Sequence, residues 1–315
     1  MTPALLRDTD PSRLGTGYGF TAYLIWGAFP LYFTTLAPAS AWEILVHRIL
    51  WSLVFCVIVV LVTRDLAWVR PILRRPRALV GITLASIFIA ANWTIYVAAV
   101  MSGHVTEAAL GYFLNPLVTV GLGVLVLRER LRPLQWVAVG IGLLGALYLT
   151  VAAGKPPWIS LALACSFASY GFMKKRLGAS LGALHSLTAE TAVLAPIAAL
   201  VLVWLTLTGR STFTTAGVGH SLLLTSAGVA TAIPLLLFAA AARRVPLVTI
   251  GLLQFITPIL QLLAGVVILG EHMSSARWAG FAIVWVALAV LSVDSVHSAR
   301  SRSRQLARAA EGAAA

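Results

Sequence analysis

Between residues 17 and 293 the chain is a succession of apolar runs, each about twenty residues long, separated by short polar breaks. About twenty apolar residues in an α-helix cross the hydrocarbon core of a bilayer. The pattern therefore predicts ten membrane helices, at 17–36, 41–62, 78–100, 105–127, 132–151, 157–175, 182–205, 219–242, 247–269 and 276–293. The predicted fold class is an all-α integral membrane protein.

The pattern is also repeated. VTEAALGYFLNPLVTVGLGVLVLRERLRPLQW at 105–136 lies without a gap on LVTIGLLQFITPILQLLAGVVILGEHMSSARW at 247–278, a shift of 142 positions. Phe113 meets Phe255, Pro116 meets Pro258, Gly123 meets Gly265, Glu129 meets Glu271 and Trp136 meets Trp278. A Pro, a Gly, a Glu and a Trp in one register mark a duplicated unit. The expected division is a segment 1–16, a five-helix unit 17–151, a second unit 157–293 and a basic tail 294–315.

Charge then orients the units. One set of loops holds Arg7, Arg13, Arg64, Arg70, Arg74, Arg75, Arg77, Arg128, Arg130, Arg132, Lys174, Lys175, Arg176, Arg243 and Arg244, and the tail adds Arg300, Arg302, Arg304 and Arg308. The other set has only Lys155, Arg210 and Arg277. Basic residues mark the cytoplasmic side, so both termini are expected in the cytoplasm of a cell that carries the protein in its plasma or inner membrane. Five helices per unit is an odd number, so the two units have opposite orientations. Inverted repeats of this kind typify secondary transporters.

Composition agrees and removes alternatives. Sixty per cent of residues are hydrophobic and 10% charged, against about 25% charged in a soluble domain; the mean hydropathy is +0.93. The net charge of +13 is spread over short loops, with no basic patch interleaved with aromatics to suit nucleic acid. Cys56 and Cys165 both lie in apolar runs and are expected as buried thiols, giving neither a disulfide framework nor a metal site. No GxxxxGK[ST] phosphate loop is present, and no cofactor is expected. Trp26, Trp42, Trp51, Trp136 and Trp278 are placed as interfacial anchors.

Charged residues inside a membrane are expensive and point to function. Glu43 and His47 share one face of the second predicted helix, with Arg48 beside them. The shift of 142 sets Glu43 on His185 and Arg48 on Glu190, exchanging the signs. Arg48 lies about 10 Å from one face and Glu190 about 12 Å from the other, which suggests an ion pair between the units. Glu43 and His185, near helix starts, are expected to reach their own interfaces. These five residues are the candidates for gating and coupling. Tyr32, Asn92, Trp93, Tyr96, Tyr112, Asn115, Gln254 and Gln261 are candidates for lining a solute cavity; helix-to-helix hydrogen bonding is the alternative role for these polar groups.

Several stretches resemble RarD-type permeases, which belong to the EamA branch of the drug/metabolite transporter superfamily: residues 18–52, NWTIYVAAV at 92–100, EAALGYFLNPLV at 107–118, RERLRPLQWVAV at 128–139 and IVWVALAVLS at 283–292. The resemblance spans nearly all of 17–293. It implies the drug/metabolite transporter fold, ten helices in an inverted repeat around a central cavity. The family is named for chloramphenicol sensitivity, and related branches export amino acids and other metabolites.

The expected activity is secondary transport of a small metabolite or drug-like solute by alternating access, with protons as a candidate coupling ion and uncoupled uniport as the alternative. An integral membrane enzyme acting on lipid is the competing class; it would need acids, His or Cys clustered at one depth, and the polar residues are instead spread over five helices. The expected partners are the solute and membrane lipid, and the protein is expected to be a monomer or a homodimer.

Overall fold

A computed structural model describes residues 11–127, 131–177, 181–245 and 247–314. The elements are α1 (Pro11–Thr34), α2 (Ala41–Val62), α3 (Val69–Leu73), α4 (Pro76–Met101), α5 (Val105–Leu127), α6 (Pro133–Ala153), α7 (Trp158–Leu177), α8 (Ala183–Leu207), α9 (Val218–Ala242), α10 (Leu247–Leu253), α11 (Ile256–Leu263), a π-helical turn (Ala264–Ile268) and α12 (Ser275–Ala314). Among the described residues the structure contains helices and no strand. Eight of its segments are long and apolar enough to cross a membrane. The first helix of each half, α1 with 24 residues and α7 with 20, is as long but more polar. Both run against helices of the other half, and a helix walled by protein tolerates polar groups that lipid would not.

The halves are interleaved rather than set side by side. α1 packs on α9 and α11, while α7 packs on α4 and α5. α2 lies against α8 and α9, α6 against α12, and α5 against α11. Each of these contacts crosses from one repeat to the other, so the core lies between the two halves.

Four expectations about helix limits are corrected. α1 begins at Pro11 rather than 17, which suits Pro at a helix start. The 63–77 loop folds into the short helix α3. The ninth predicted helix is broken at Gln254–Phe255 and again at the π-helical turn. Its counterpart α5 runs unbroken past Pro116, so Pro258 alone does not explain the break. The tail expected after 293 continues α12 as helix to Ala314.

Two expectations about side chains also change. Cys165 is on an exposed face of α7, and only Cys56 is buried. Trp42, Trp136 and Trp278 are exposed, as anchors should be, but Trp26 packs inward against Tyr23 and Phe238. The Trp51 indole likewise turns to His47.

Candidate functional site

The centre of the bundle is built around Arg48, 4% exposed. Gly228 lets α2 and α9 meet there: a Cβ on it would lie 2.2 Å from the Trp51 carbonyl carbon. The Ser52 hydroxyl donates to the Gly228 carbonyl at 3.1 Å. One turn along, Arg48 Nε donates to Thr231 Oγ1 at 2.7 Å. The guanidinium lies over Trp93 at 4.4 Å, Phe29 at 5.3 Å and Phe33 at 5.4 Å. Its Nη1 is buried and has no hydrogen-bond partner.

Polar groups of both halves surround this box. Tyr112 donates to Asn92 Oδ1 at 3.3 Å, and Asn92 Nδ2 donates to the Leu163 carbonyl and to Ser166 Oγ, both at 3.1 Å. Gln261 Nε2 donates to the Tyr96 hydroxyl at 3.0 Å and to the Trp26 carbonyl at 3.2 Å. Gln261 Oε1 remains buried without a partner. Tyr96 packs edge-on against Phe33 and Tyr112. The Tyr32 hydroxyl is bound to Ser226 at 2.8 Å and to the Leu223 carbonyl at 2.9 Å, joining α1 to α9.

At the Arg-poor end of the bundle, carboxylates tie the halves together. Glu43, expected at an interface, is instead fully buried. It accepts from the Thr212 and Phe213 backbone N–H groups at 2.6 and 3.0 Å and from the Ser211 and Thr212 hydroxyls at 2.9 Å. Phe213 stacks on His47 at 4.5 Å. Trp51 Nε1 donates to His47 Nδ1 at 3.1 Å, so the ring proton is on Nε2, which is buried without a partner. The tie is mirrored in the other half. Glu271 accepts from the backbone N–H groups of Val105 and Thr106, at 2.5 and 2.8 Å, at the N-terminus of α5, where negative charge is favoured. Arg277 reaches Glu107 at 3.2 Å.

The Arg-rich end holds the last candidates. Glu190, 2% exposed, is paired with Lys174 Nζ at 2.7 Å and accepts from Ser186 at 2.8 Å and Tyr170 at 3.2 Å; Lys174 also donates to Ser186. His185 bonds Asp65 at 2.7 Å and stacks on Trp68.

The expected Arg48–Glu190 pair is therefore corrected. Depth alone suggested it, but Glu190 has a cation one helix away, and Arg48 faces aromatic rings. The structure brings together Tyr32, Asn92, Trp93, Tyr96, Tyr112 and Gln261 around the box. Asn115 lies one turn beyond Tyr112 on α5, with Oδ1 buried and unpartnered. Gln254 stands at the break between α10 and α11. Sequence reasoning missed Phe29, Phe33 and Thr231. It also missed Lys174, whose place in a Lys-Lys-Arg run reads as a topology signal. Thr231, a hydroxyl in the middle of an apolar run, was the one of these that could have been found. Among the described residues no cluster of His, Cys, Asp and Glu suits a metal ion.

Comparison with known proteins gives the lineage. The profile of the EamA-like transporter family matches residues 13–151 and again residues 156–293, the two repeats. The chain is 48% identical to a Streptomyces exfoliatus protein named RarD, over 97% of this chain and 96% of that one. It is 43% identical to an uncharacterized transporter of Pseudomonas aeruginosa, over 91% and 96%. A solved protein chain superposes with a TM-score of 0.56 at 20% identity, over 88% of this chain and 96% of the other, which speaks for the fold alone.

Proposed function

The chain belongs to the EamA-like transporter family, in its RarD-type branch, and from that premise we propose a secondary transporter that carries a small metabolite or drug-like solute across the plasma membrane by alternating access. Membership already makes it a multi-pass membrane transporter; the mechanism is the further step. The observation that carries it is the central cluster, to which the first half gives Arg48, Trp93 and Tyr96 and the second gives Thr231 and Gln261. Groups drawn from two inverted halves separate and rejoin when the halves rock. The Glu43 and Glu271 ties both lie at the Arg-poor end, while the more exposed His185–Asp65 and Arg132–Asp294 pairs cross between the halves at the other end. We assign the Arg-poor end to the outer face, because the opposite end carries nearly all the loop Arg and Lys, and we read the Glu43 and Glu271 ties as the outer gate. Both termini are then cytoplasmic.

Glu190 is the first candidate to carry a coupling proton and His47 the second, because each is ionisable and buried within the span. A specific observation favours the uniport alternative: the charge of Glu190 is already compensated by Lys174. The test is counterflow in proteoliposomes of the purified chain, with radiolabelled chloramphenicol, amino acids and nucleosides supplied outside against an unlabelled load. Accelerated exchange of one compound class supports the transporter mechanism; equal entry into protein-free vesicles for every compound overturns it for those solutes.

A further inference from the structure

Most buried cations in proteins have an anion beside them, because removing a charge from water costs several kcal/mol even after relaxation. Arg48 has none. Its one hydrogen bond among the described residues is to a neutral hydroxyl, three aromatic faces lie against the guanidinium, and the nearby Tyr32, Tyr96 and Tyr112 are neutral. Among the described residues no carboxylate forms an ion pair with it. Cation–π contacts contribute about 0.5–2 kcal/mol each, so three faces and one hydroxyl hold the charge but leave a donor pair unused. Nη1 is that unused group. A structural tie between α2 and α9 would not need a guanidinium, since Ser52 and Gly228 already make that contact one turn away.

We infer that the Arg48 box is the binding site for a small organic monocarboxylate with a flat apolar body, the carboxylate bridging to the free edge of the guanidinium and the body displacing it across the aromatic walls. This rests on the transporter reading for its use and deepens it by naming the substrate class. Three features set the class. A guanidinium matches a carboxylate bidentately. One cation compensates one charge, and the Lys174 ammonium is committed to Glu190, so a dianion is left short. Phe29, Phe33 and Trp93 offer ring faces rather than hydrogen bonds to the rest of the ligand. Gln261 Oε1 adds one buried acceptor. It lies two rings from Arg48, through Tyr96 and Phe33, and suits a hydroxyl or amide N–H on the body. Among the described residues no carboxylate pairs with Arg48 or stands ready for a ligand's ammonium at the box, so simple carboxylates rank above amino acids.

The test uses the purified full-length chain in detergent. Thermal unfolding is followed while benzoate, phenylacetate and 3-phenylpropionate are titrated, each beside its neutral amide. A bound ligand raises the midpoint by mass action. At least one carboxylate is expected to stabilise the protein while its amide does not. In Arg48→Gln the carboxylate should bind about tenfold more weakly or worse, as when one charge-assisted hydrogen bond is lost. Arg48→Lys keeps the charge and should retain part of the preference for carboxylate over amide. The unliganded Arg48→Met protein should melt no lower than wild type, because it removes an uncompensated charge, whereas a purely structural arginine would make it melt lower. Equal stabilisation by acid and amide, undiminished carboxylate binding in Arg48→Gln, or no response to any of the three acids overturns the inference. The two readings fail separately. Carboxylate binding at Arg48 without counterflow leaves the site and removes the transporter mechanism. Counterflow of neutral solutes that Arg48→Gln leaves unchanged keeps the mechanism and removes the anion site.

Discussion

Glu43 and Thr212 are joined twice across the two halves, by the Thr212 backbone N–H at 2.6 Å on one carboxylate oxygen and its hydroxyl at 2.9 Å on the other. The carboxylate is doing for the chain before α9 what a capping side chain does for a helix end, but from a helix of the opposite repeat. Glu43→Ala should strand the N–H groups of Thr212 and Phe213, at about 1–3 kcal/mol for each donor left buried and unpaired. The unfolding midpoint is expected to fall, and a Cys at Ser211 should label faster from outside in the variant. Unchanged labelling would mean that this contact does not hold the gate.

Gly228 gives a sharper packing test. A methyl group there meets α2 backbone at 2.2 Å, and overfilled cores lose about 1–3 kcal/mol. Gly228→Ala should lower stability and move Thr231 away from Arg48. Gly121→Ala is the control: nothing lies within 4 Å of that position, and Ala in a helix interior is better than Gly by about 0.5–1 kcal/mol. The pair of melting curves decides whether the close approach of α2 and α9 is needed, or whether any Gly replacement is harmful.

The frame of the protein was legible because the bilayer writes long, unambiguous runs into a sequence and because duplication repeats them. All ten predicted helices correspond to helical segments of the structure. Of the candidate site, Asn92, Trp93, Tyr96, Tyr112 and Gln261 stand out in apolar runs, and the structure sets them close together. The pairings were not legible. Period and depth give the height of Arg48 and Glu190 but not their azimuth, and azimuth is set by which helix stands next to α2 or α8. The break at Gln254–Phe255 was hidden for a related reason: Pro116 and Pro258 look alike in sequence, yet only the helix that carries Pro258 is interrupted.

Topology can be tested residue by residue. Single Cys substitutions at Lys155, Arg210 or Met273 are expected to react with an impermeant thiol reagent added outside intact cells. Those at Arg75, Arg130 or Arg244 should react only after the membrane is opened. The wild-type thiol at Cys165 lies on an exposed face of α7 and must first be replaced by Ala. Reaction at Arg130 from outside would contradict the inverted arrangement, because that loop and the Met273 turn occupy equivalent places in the two repeats.

The last prediction separates the two roles open to Glu190. Removing one partner of a fully buried pair costs about 3–5 kcal/mol, and less here because the Lys174 side chain is 32% exposed. Lys174→Met should therefore destabilise the protein, and Lys174→Met combined with Glu190→Gln should regain much of the loss, which a double-mutant cycle reads directly. That much is expected whether Glu190 is a lock or a proton carrier. Transport divides the cases. A carrier must accept a proton when its partner leaves, so the pair would open in one state and close in the other. Glu190→Gln can no longer exchange a proton, and an imposed pH gradient should stop driving accumulation while counterflow at equal pH continues. A lock predicts the reverse emphasis: accumulation and counterflow change together, because both need the same movement of α7 against α8. Full gradient-driven accumulation by Glu190→Gln would leave His47 as the remaining candidate for coupling, and its loss in His47→Gln alone would assign the proton to the ring beneath Phe213.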